Sequence, residues 1–193
     1  MSDVKKSSIV YESDWLAVYE DLLEINEVKD IQTVRIFNKI KTKRDNAVVI
    51  PVFSDGSLLM IENYRRGVDK VLLDLPGGLI EENEQPHETA RKELLQETGY
   101  SCKILESRGW FYIWPSKANQ KTYLFLAKKL ENISNQNLEE TEKIKIKIIT
   151  RDEIILMLKN QQIRDSGIIA ALFYGYLADN FRLNASDDIG SIR

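Results

Sequence analysis

The segment from Gly78 to Tyr100 constrains this 193-residue chain more than any other part of it. An apolar strand stops at Pro76-Gly77-Gly78, a sequence that forces the backbone to turn. Pro86 suits the first turn of a helix because its missing N–H costs nothing there, and Gly99 suits the position just past a helix end. The sequence therefore predicts a strand, a glycine-rich loop and a helix over residues 86–98.

Two glutamates lie on that predicted helix. Glu93 and Glu97 are four residues apart, so they share one helix face about one turn from each other. Two carboxylates this close repel unless a cation lies between them, and oxygen ligands of this kind suit Mg²⁺ or Mn²⁺. Such a site would suit phosphoryl or pyrophosphate chemistry, in which a metal offsets charge and polarises water. By itself, the pair fits an acidic solvated helix face better than a metal site.

The rest of the chain is rich in strand patterns and poor in helix patterns, which indicates an α+β fold. Residues 10–43 alternate short apolar and polar runs, as a small antiparallel β region does. Asp55-Gly56 predicts a hairpin turn between two of the later strands. The expected strands cover residues 46–53, 58–64, 71–75, 102–113, 121–127 and 143–148, the closing helices cover 151–159 and 166–179, and a loose tail covers 184–193.

Composition excludes several classes of protein. The 27 basic and 30 acidic residues leave a net charge of −3, which is unsuited to the backbone of nucleic acids. Cys102 is the single cysteine, so no internal disulfide can form. The first eight residues carry no apolar leader, and no apolar run is long enough to span a bilayer. We therefore expect a cytoplasmic protein that binds neither membrane nor nucleic acid.

The glycine-rich loop and helix resemble the Nudix box, whose pattern is G-x5-E-x7-R-E-U-x-E-E-x-G-U with U bulky and apolar. The matching positions are Gly78, Glu84, Glu93, Leu94, Glu97, Gly99 and Tyr100. Two positions depart from the pattern. Lys92 replaces the arginine and so loses its planar fork, and Gln96 replaces the first glutamate of the Glu-Glu pair. The resemblance implies that Glu93 and Glu97 are the principal metal ligands, with the Gly77 carbonyl nearby and Gln96 contributing weakly.

Residues 8–178 are similar to one subfamily, the ADP-ribose (ADP-sugar) pyrophosphatases. The similarity includes residues 61–65, 73–78 and 163–165, together with a marker proline, Pro115. It implies an α/β/α sandwich with a mixed sheet over residues 45–183, preceded by an antiparallel β region over 1–44. In the subfamily that region makes a homodimer and contacts substrate.

The same resemblance assigns substrate-binding roles. Arg65 would approach a phosphate or the terminal ribose, unless it is a rim arginine paired with a surface acid. Trp15 would stack on adenine, unless it is an ordinary packed aromatic. Asp74, in the segment that leads into the box, and the marker proline Pro115 would also contribute to substrate binding.

Other positions downstream depart from the subfamily. Asn119 and Gln120 stand where it has an Asp-Glu pair, and Lys145 stands where our alignment places the glutamate that often acts as base. Glu142, in the loop before the last strand, is our candidate for that base.

The resemblance implies metal-dependent hydrolysis of a nucleoside diphosphate sugar, with ADP-ribose giving AMP and ribose 5-phosphate. GDP-mannose and ADP-glucose remain alternative substrates, because the box does not read base or sugar. The losses at Lys92, Gln96, Asn119, Gln120 and Lys145 leave a third possibility, a catalytically weak domain that binds a nucleotide.

Overall fold

The computed structural model describes residues 3–26, 32–140 and 142–177, so the predicted tail at 184–193 lies outside the described residues. Their strands are β1 (Asp3–Glu12), β2 (Leu16–Asn26), β3 (Gln32–Thr42), β4 (Asn46–Pro51), β5 (Leu58–Arg65), β6 (Lys70–Asp74), β7 (Gly77–Leu79), β8 (Tyr100–Tyr112), β9 (Lys121–Asn132) and β10 (Lys145–Ile149). The helices are α1 (Pro86–Thr98), α2 (Arg151–Lys159) and α3 (Ser166–Leu172), and a π-helical turn, Phe173–Leu177, follows α3.

The described strands form three sheets. The mixed sheet has the order β7-β4-β9-β8, in which only β4 and β9 run parallel to each other. A second sheet, β10-β5-β6, is antiparallel, as is the N-terminal sheet β1-β2-β3. The predicted α+β class, mixed sheet and N-terminal antiparallel strands are confirmed.

Apolar side chains cover both faces of the mixed sheet and create three layers. On one face, Ala90 and Leu94 of α1 pack against Ala47 and Val49 of β4. The other face packs against the second sheet, α2 and α3 through a larger core. That core includes Ile50, Leu58, Met60, Leu124, Leu126, Ile154, Ile168 and Leu172. Because β4 alternates its side chains between these cores, one strand fixes the position of α1 relative to the second sheet.

The predicted helix over residues 86–98 is confirmed with the same bounds. Pro86 occupies its first turn, and Glu88 accepts the backbone N–H of Gln85 at 2.8 Å, which satisfies a donor before the helix. Gly99 has φ +76°, and its N–H donates to the Leu95 carbonyl at 2.8 Å. The helix therefore ends where the left-handed glycine predicts.

The hairpin predicted at Asp55-Gly56 is wrong in one respect. The chain does turn there, with the Gly56 N–H bonded to the Phe53 carbonyl at 3.0 Å. However, β4 and β5 meet only at the Val52–Leu58 bridge and then enter different sheets. Because β7 and β9 already occupy both edges of β4, no edge is free for β5.

The closing helix predicted for residues 166–179 keeps α-helical geometry only to Leu172 and continues as a π-helical turn to Leu177. A side chain at Gly175 would collide with Ile50 in the core. Among the described residues, no helix is both long and apolar enough to cross a membrane.

Two of the amides that depart from the subfamily pattern fasten the N-terminal sheet to the rest of the chain. The Asn119 side chain accepts the Thr42 N–H at 2.8 Å, and the Gln120 side chain donates to the Arg44 carbonyl at 3.2 Å. In addition, the Ile40 N–H donates to the Lys117 carbonyl at 2.7 Å. These residues therefore have structural partners that the sequence comparison did not indicate.

Gly99→Ala should destabilise the protein more than Gly109→Ala. Both glycines have positive φ, +76° and +88°, so alanine costs about 1–2 kcal/mol at each. A Cβ at Gly99 would also collide with the Ser134 carbonyl, whereas one at Gly109 meets nothing within 4 Å. Thermal unfolding of both variants measures the difference, and equal melting temperatures would contradict the role of Gly99 as a close-packed cap.

Candidate active site

The two glutamates of α1 lie against the short strand β7. The Gly77 N–H donates to Oε2 of Glu97 at 2.9 Å. A methyl group at Gly78 would come within 2.6 Å of Oε1 of Glu93, so that carboxylate lies directly over the glycine. Because β7 pairs with β4 and α1 packs on β4, the strand and the helix hold the two carboxylates at one corner of the mixed sheet.

The favourable contacts of this pair do not offset the effects of burial and of neighbouring carboxylates. Burial raises the pKa of Glu97 to about 8, against the opposing effect of the Gly77 N–H, and nearby Glu93 and Glu142 add to the increase. Burial also raises the pKa of Glu93 to about 7, with Lys92 opposing and Glu142 reinforcing the shift. Glu97 is only 2% exposed. Carboxylates in this setting favour a bound proton or a cation.

Lys92 retains part of the function of the arginine it replaces. Its ammonium donates to Oε2 of Glu84 at 3.0 Å, and the Thr89 hydroxyl donates to the same oxygen at 2.7 Å. The Thr89 hydrogen bond is the largest cause of the lowered pKa of Glu84, and Lys92 adds to it. Glu84 therefore anchors the loop before α1 through one oxygen. The box pattern did not indicate that Thr89 would donate a hydrogen bond to Glu84.

The corner suits a hard divalent cation. Among the described residues, no group of three or more His, Cys, Asp or Glu side chains could hold a metal ion. Mg²⁺ does not need such a cage, because proteins commonly bind it through one or two carboxylates together with water and substrate phosphates. Glu93 and Glu97 supply the two carboxylates, and the donor set contains only oxygen. The residues present therefore fit Mg²⁺ or Mn²⁺.

Arg65 and Asp74 lie beside this corner as an ion pair. The Asp74 carboxylate is 4% exposed and accepts from the Arg65 guanidinium, while its other oxygen accepts the Leu75 N–H at 2.8 Å. Burial raises the pKa of Asp74, whereas Arg65 lowers it. Because Asp74 also contributes to the raised pKa of Glu97, the ion pair lies within electrostatic reach of the carboxylates. The side chain of Arg65 stays about half exposed and can receive an anion.

Glu142 lies near the pair, whereas Lys145 faces elsewhere. The charge of Glu142 contributes to the raised pKa of both Glu93 and Glu97. Lys145 lies opposite Glu62 in the second sheet and lines a different cavity with Lys143. Of the two positions compared with the subfamily's base, only that of the candidate Glu142 lies toward the helix carboxylates.

Trp15 and Pro115 are placed apart from Arg65. Trp15 is 60% exposed, with the Arg44 guanidinium 5.6 Å from its ring centroid. Pro115 lines a cavity of about 360 Å³ between the N-terminal sheet and the loop before β9, together with Phe37 and Tyr112. Neither residue lines the cavity that contains Arg65 and Asp74.

A family model described as the NUDIX domain matches residues 42–172. The chain belongs to the Nudix family. The predicted family, the Nudix hydrolases, is confirmed.

Two relatives each match 65% of the chain. A Bacillus methanolicus protein named methanol dehydrogenase activator is 33% identical over 127 residues, which is 65% of this chain and 69% of that protein. An ADP-ribose pyrophosphatase of Bacillus subtilis strain 168 is 28% identical over 127 residues, with the same coverage. The crystal structure of an ADP compounds hydrolase superposes with a TM-score of 0.78 at 22% identity, covering 94% of this chain and 97% of that one. This Nudix structure supports the fold.

In the metal-free protein at pH 7, Glu97→Gln should raise the melting temperature by about 2–4 °C. The raised pKa of Glu97 means that folding must protonate this carboxyl, which costs stability, whereas the amide is neutral and keeps an acceptor for the Gly77 N–H. Glu82→Gln, which changes an exposed acid in the same loop, should have little effect. Thermal unfolding in EDTA tests this. A lower melting temperature for Glu97→Gln would show that the carboxylate stabilises the protein without a cation.

Proposed function

We propose that this Nudix hydrolase cleaves the pyrophosphate of a nucleoside diphosphate sugar in the presence of Mg²⁺ or Mn²⁺. ADP-ribose is the proposed substrate, and AMP and ribose 5-phosphate are the products. The observation that carries the proposal is the pair of buried carboxylates, Glu93 and Glu97, held against Gly77 and Gly78. The name of the Bacillus subtilis relative supports the choice of ADP-ribose.

Glu93, Glu97 and the Gly77 carbonyl would hold the divalent cation, with Gln96 as a weaker neutral contributor. When bound, the cation offsets charge on the pyrophosphate and makes water a better nucleophile at neutral pH. The protein groups orient the substrate around that centre. Arg65 would bind a phosphate oxygen, and Asp74 would orient the guanidinium by accepting a hydrogen bond from it.

Glu142 is the proposed base. It would take a proton from the attacking water at a carboxylate oxygen as the water oxygen bonds to phosphorus and the bridging P–O bond breaks. One of its oxygens accepts the Glu139 N–H at 2.9 Å, which orients the carboxylate within the loop. Its electrostatic effect on both helix glutamates supports this assignment over Lys145.

The N-terminal region, residues 1–44, is proposed as the dimerisation and nucleobase-binding part, ahead of a hydrolase domain at 45–183. Trp15 offers an exposed ring for stacking on adenine, and Pro115 would shape the neighbouring loop. Several other apolar side chains are exposed on β1 and at the end of β8, as is typical of association surfaces. They are Ile9, Val10, Tyr11, Trp110, Tyr112, Ile113 and Trp114. We propose that a second copy of the chain covers them in a cytoplasmic homodimer.

Two alternatives follow from particular observations. GDP-mannose or ADP-glucose could replace ADP-ribose, because neither Glu93 nor Glu97 contacts the base or sugar in this scheme. Values of kcat/KM for the three compounds decide among these substrates. A weak, nucleotide-binding Nudix domain is favoured by the neutral Gln96 and by the single-oxygen anchor that Lys92 gives to Glu84.

Glu97→Gln should reduce turnover of ADP-ribose at least about a hundredfold, since it removes a full charge from the cation site. AMP release is measured with Mg²⁺, with Mn²⁺ and with EDTA. His87→Gln is the matched control, because His87 lies exposed on the first turn of the same helix and should retain full activity. Wild-type turnover by Glu97→Gln would rule out this site.

Gln96→Glu should increase metal-dependent turnover if the box is impaired but functional, because it restores a carboxylate on the same helix. The matched variant Gln85→Glu, just before the helix, should not. No increase, combined with micromolar binding of ADP-ribose, would favour the nucleotide-binding module over the enzyme.

A further inference from the structure

A cavity of about 460 Å³ lies between the mixed sheet and the second sheet, where β4 and β9 begin. Its walls come from β4, the β5–β6 turn, β9 and the start of α3. Arg65 and Asp74 line this cavity as an ion pair, and Asp74 lies within electrostatic reach of Glu97. The volume is within the usual range for small-molecule sites.

Two buried polar atoms face this cavity without a hydrogen-bond partner among the described residues. They are Oγ1 of Thr122 and Oδ1 of Asn46. Thr122 is 2% exposed. The residues lie directly opposite each other on the parallel strands β4 and β9, so their side chains point to the same face of the sheet. Unpartnered buried polar atoms are rare because each costs free energy, and two neighbouring ones indicate a ligand.

Charged residues also line the cavity. They are Arg65, Arg66, Asp74 and Asp165, and the Arg65 guanidinium donates to the Asp74 carboxylate. One oxygen of Asp165 already accepts the Ile168 N–H at 3.0 Å, as the cap of α3. The cavity therefore presents cations for a phosphate near the helix carboxylates, and an acceptor and a hydroxyl deeper inside.

We propose that this cavity binds the sugar of the nucleoside diphosphate sugar, with Thr122 and Asn46 hydrogen-bonding sugar hydroxyls and Arg65 holding the adjoining phosphate. The inference rests on the proposed function and identifies the half of the substrate that this cavity binds. Alcohol groups both donate and accept, so they match an amide oxygen beside a hydroxyl.

The lining favours a sugar over a nucleobase. Among the described residues that line the cavity, none is aromatic, so a base would have no ring on which to stack. Val48, Leu72 and Ile113 instead offer small apolar surfaces suited to the C–H face of a sugar ring. The exposed aromatic side chain of Trp15 lies on a different part of the molecule.

The test separates the two halves of the substrate by titrating the protein with ribose 5-phosphate and with AMP, each in the presence of Mg²⁺. Thr122→Val keeps the shape and removes the hydroxyl, so it should raise the Kd for ribose 5-phosphate by about tenfold or more. AMP should bind within twofold of wild type. Thr122→Ser restores the hydroxyl and should recover most of the affinity.

Asn46→Leu is the second variant and should also raise the Kd for ribose 5-phosphate. It provides the test if Thr122→Val does not fold. Ser101→Val is the matched control, since it removes a partly exposed strand hydroxyl that lies outside this cavity. A loss of AMP affinity with unchanged ribose 5-phosphate affinity would place the nucleoside in the cavity and overturn the proposal. Equal affinities for all variants, or no binding of ribose 5-phosphate by the wild type, would also overturn it.

Hydrolysis assays keep the two proposals distinguishable. If the wild type releases no AMP from ADP-ribose yet binds ribose 5-phosphate through Thr122, the pyrophosphatase activity fails and the sugar site stands. If AMP release is normal but Thr122→Val leaves kcat/KM unchanged for ADP-ribose and ADP-glucose alike, the sugar site fails and the pyrophosphatase stands.

Discussion

The hydrogen bond from the Gly77 N–H to the Glu97 carboxylate connects the parts of the fold on which the site depends. It joins α1 to β7, which is itself paired with the central strand β4. Among the described residues, the Gly77 N–H is the donor bonded to this carboxylate, which lies in an environment of low dielectric where its charge is costly. The site therefore favours an added positive charge. This preference comes from the burial of the carboxylate between α1 and β7 as well as from its residue type.

The sequence predicts the features of this arrangement that are determined by residues close together in the chain. It does not predict those that depend on distant strands. The helix over residues 86–98 follows from Pro86, Gly99 and the apolar spacing between them, all of which act within a few residues. The separation of β4 from β5 depends on the edges of β4 being occupied by β7 and by β9, whose residues are more than twenty positions away. No turn signal at Asp55-Gly56 carries that information.

The departures from the box pattern also show that sequence motifs do not reveal contacts formed in the folded chain. Lys92 was expected to lose bidentate contact, and it does bind Glu84 through one oxygen only. The added support from the Thr89 hydroxyl was not evident, since a threonine three residues before a lysine has no distinctive pattern. Likewise, Asn119 and Gln120 read as lost acids in an alignment of motifs, whereas the fold uses both amides to attach the N-terminal sheet.

The unpartnered atoms of Asn46 and Thr122 come from positions 76 residues apart that only the parallel pairing of β4 and β9 brings side by side. Neither residue belongs to a motif in the sequence, so nothing in the sequence indicates that the two side chains meet. In the structure, the larger apolar core ends beside these two side chains, and a cavity takes the place of further packing. This position makes them candidates for ligand binding. A core that stops short at two buried polar groups loses apolar contacts as well as hydrogen bonds. Binding of a polar ligand with an apolar face would recover both, and the Arg65–Asp74 pair connects that ligand to the carboxylates of α1.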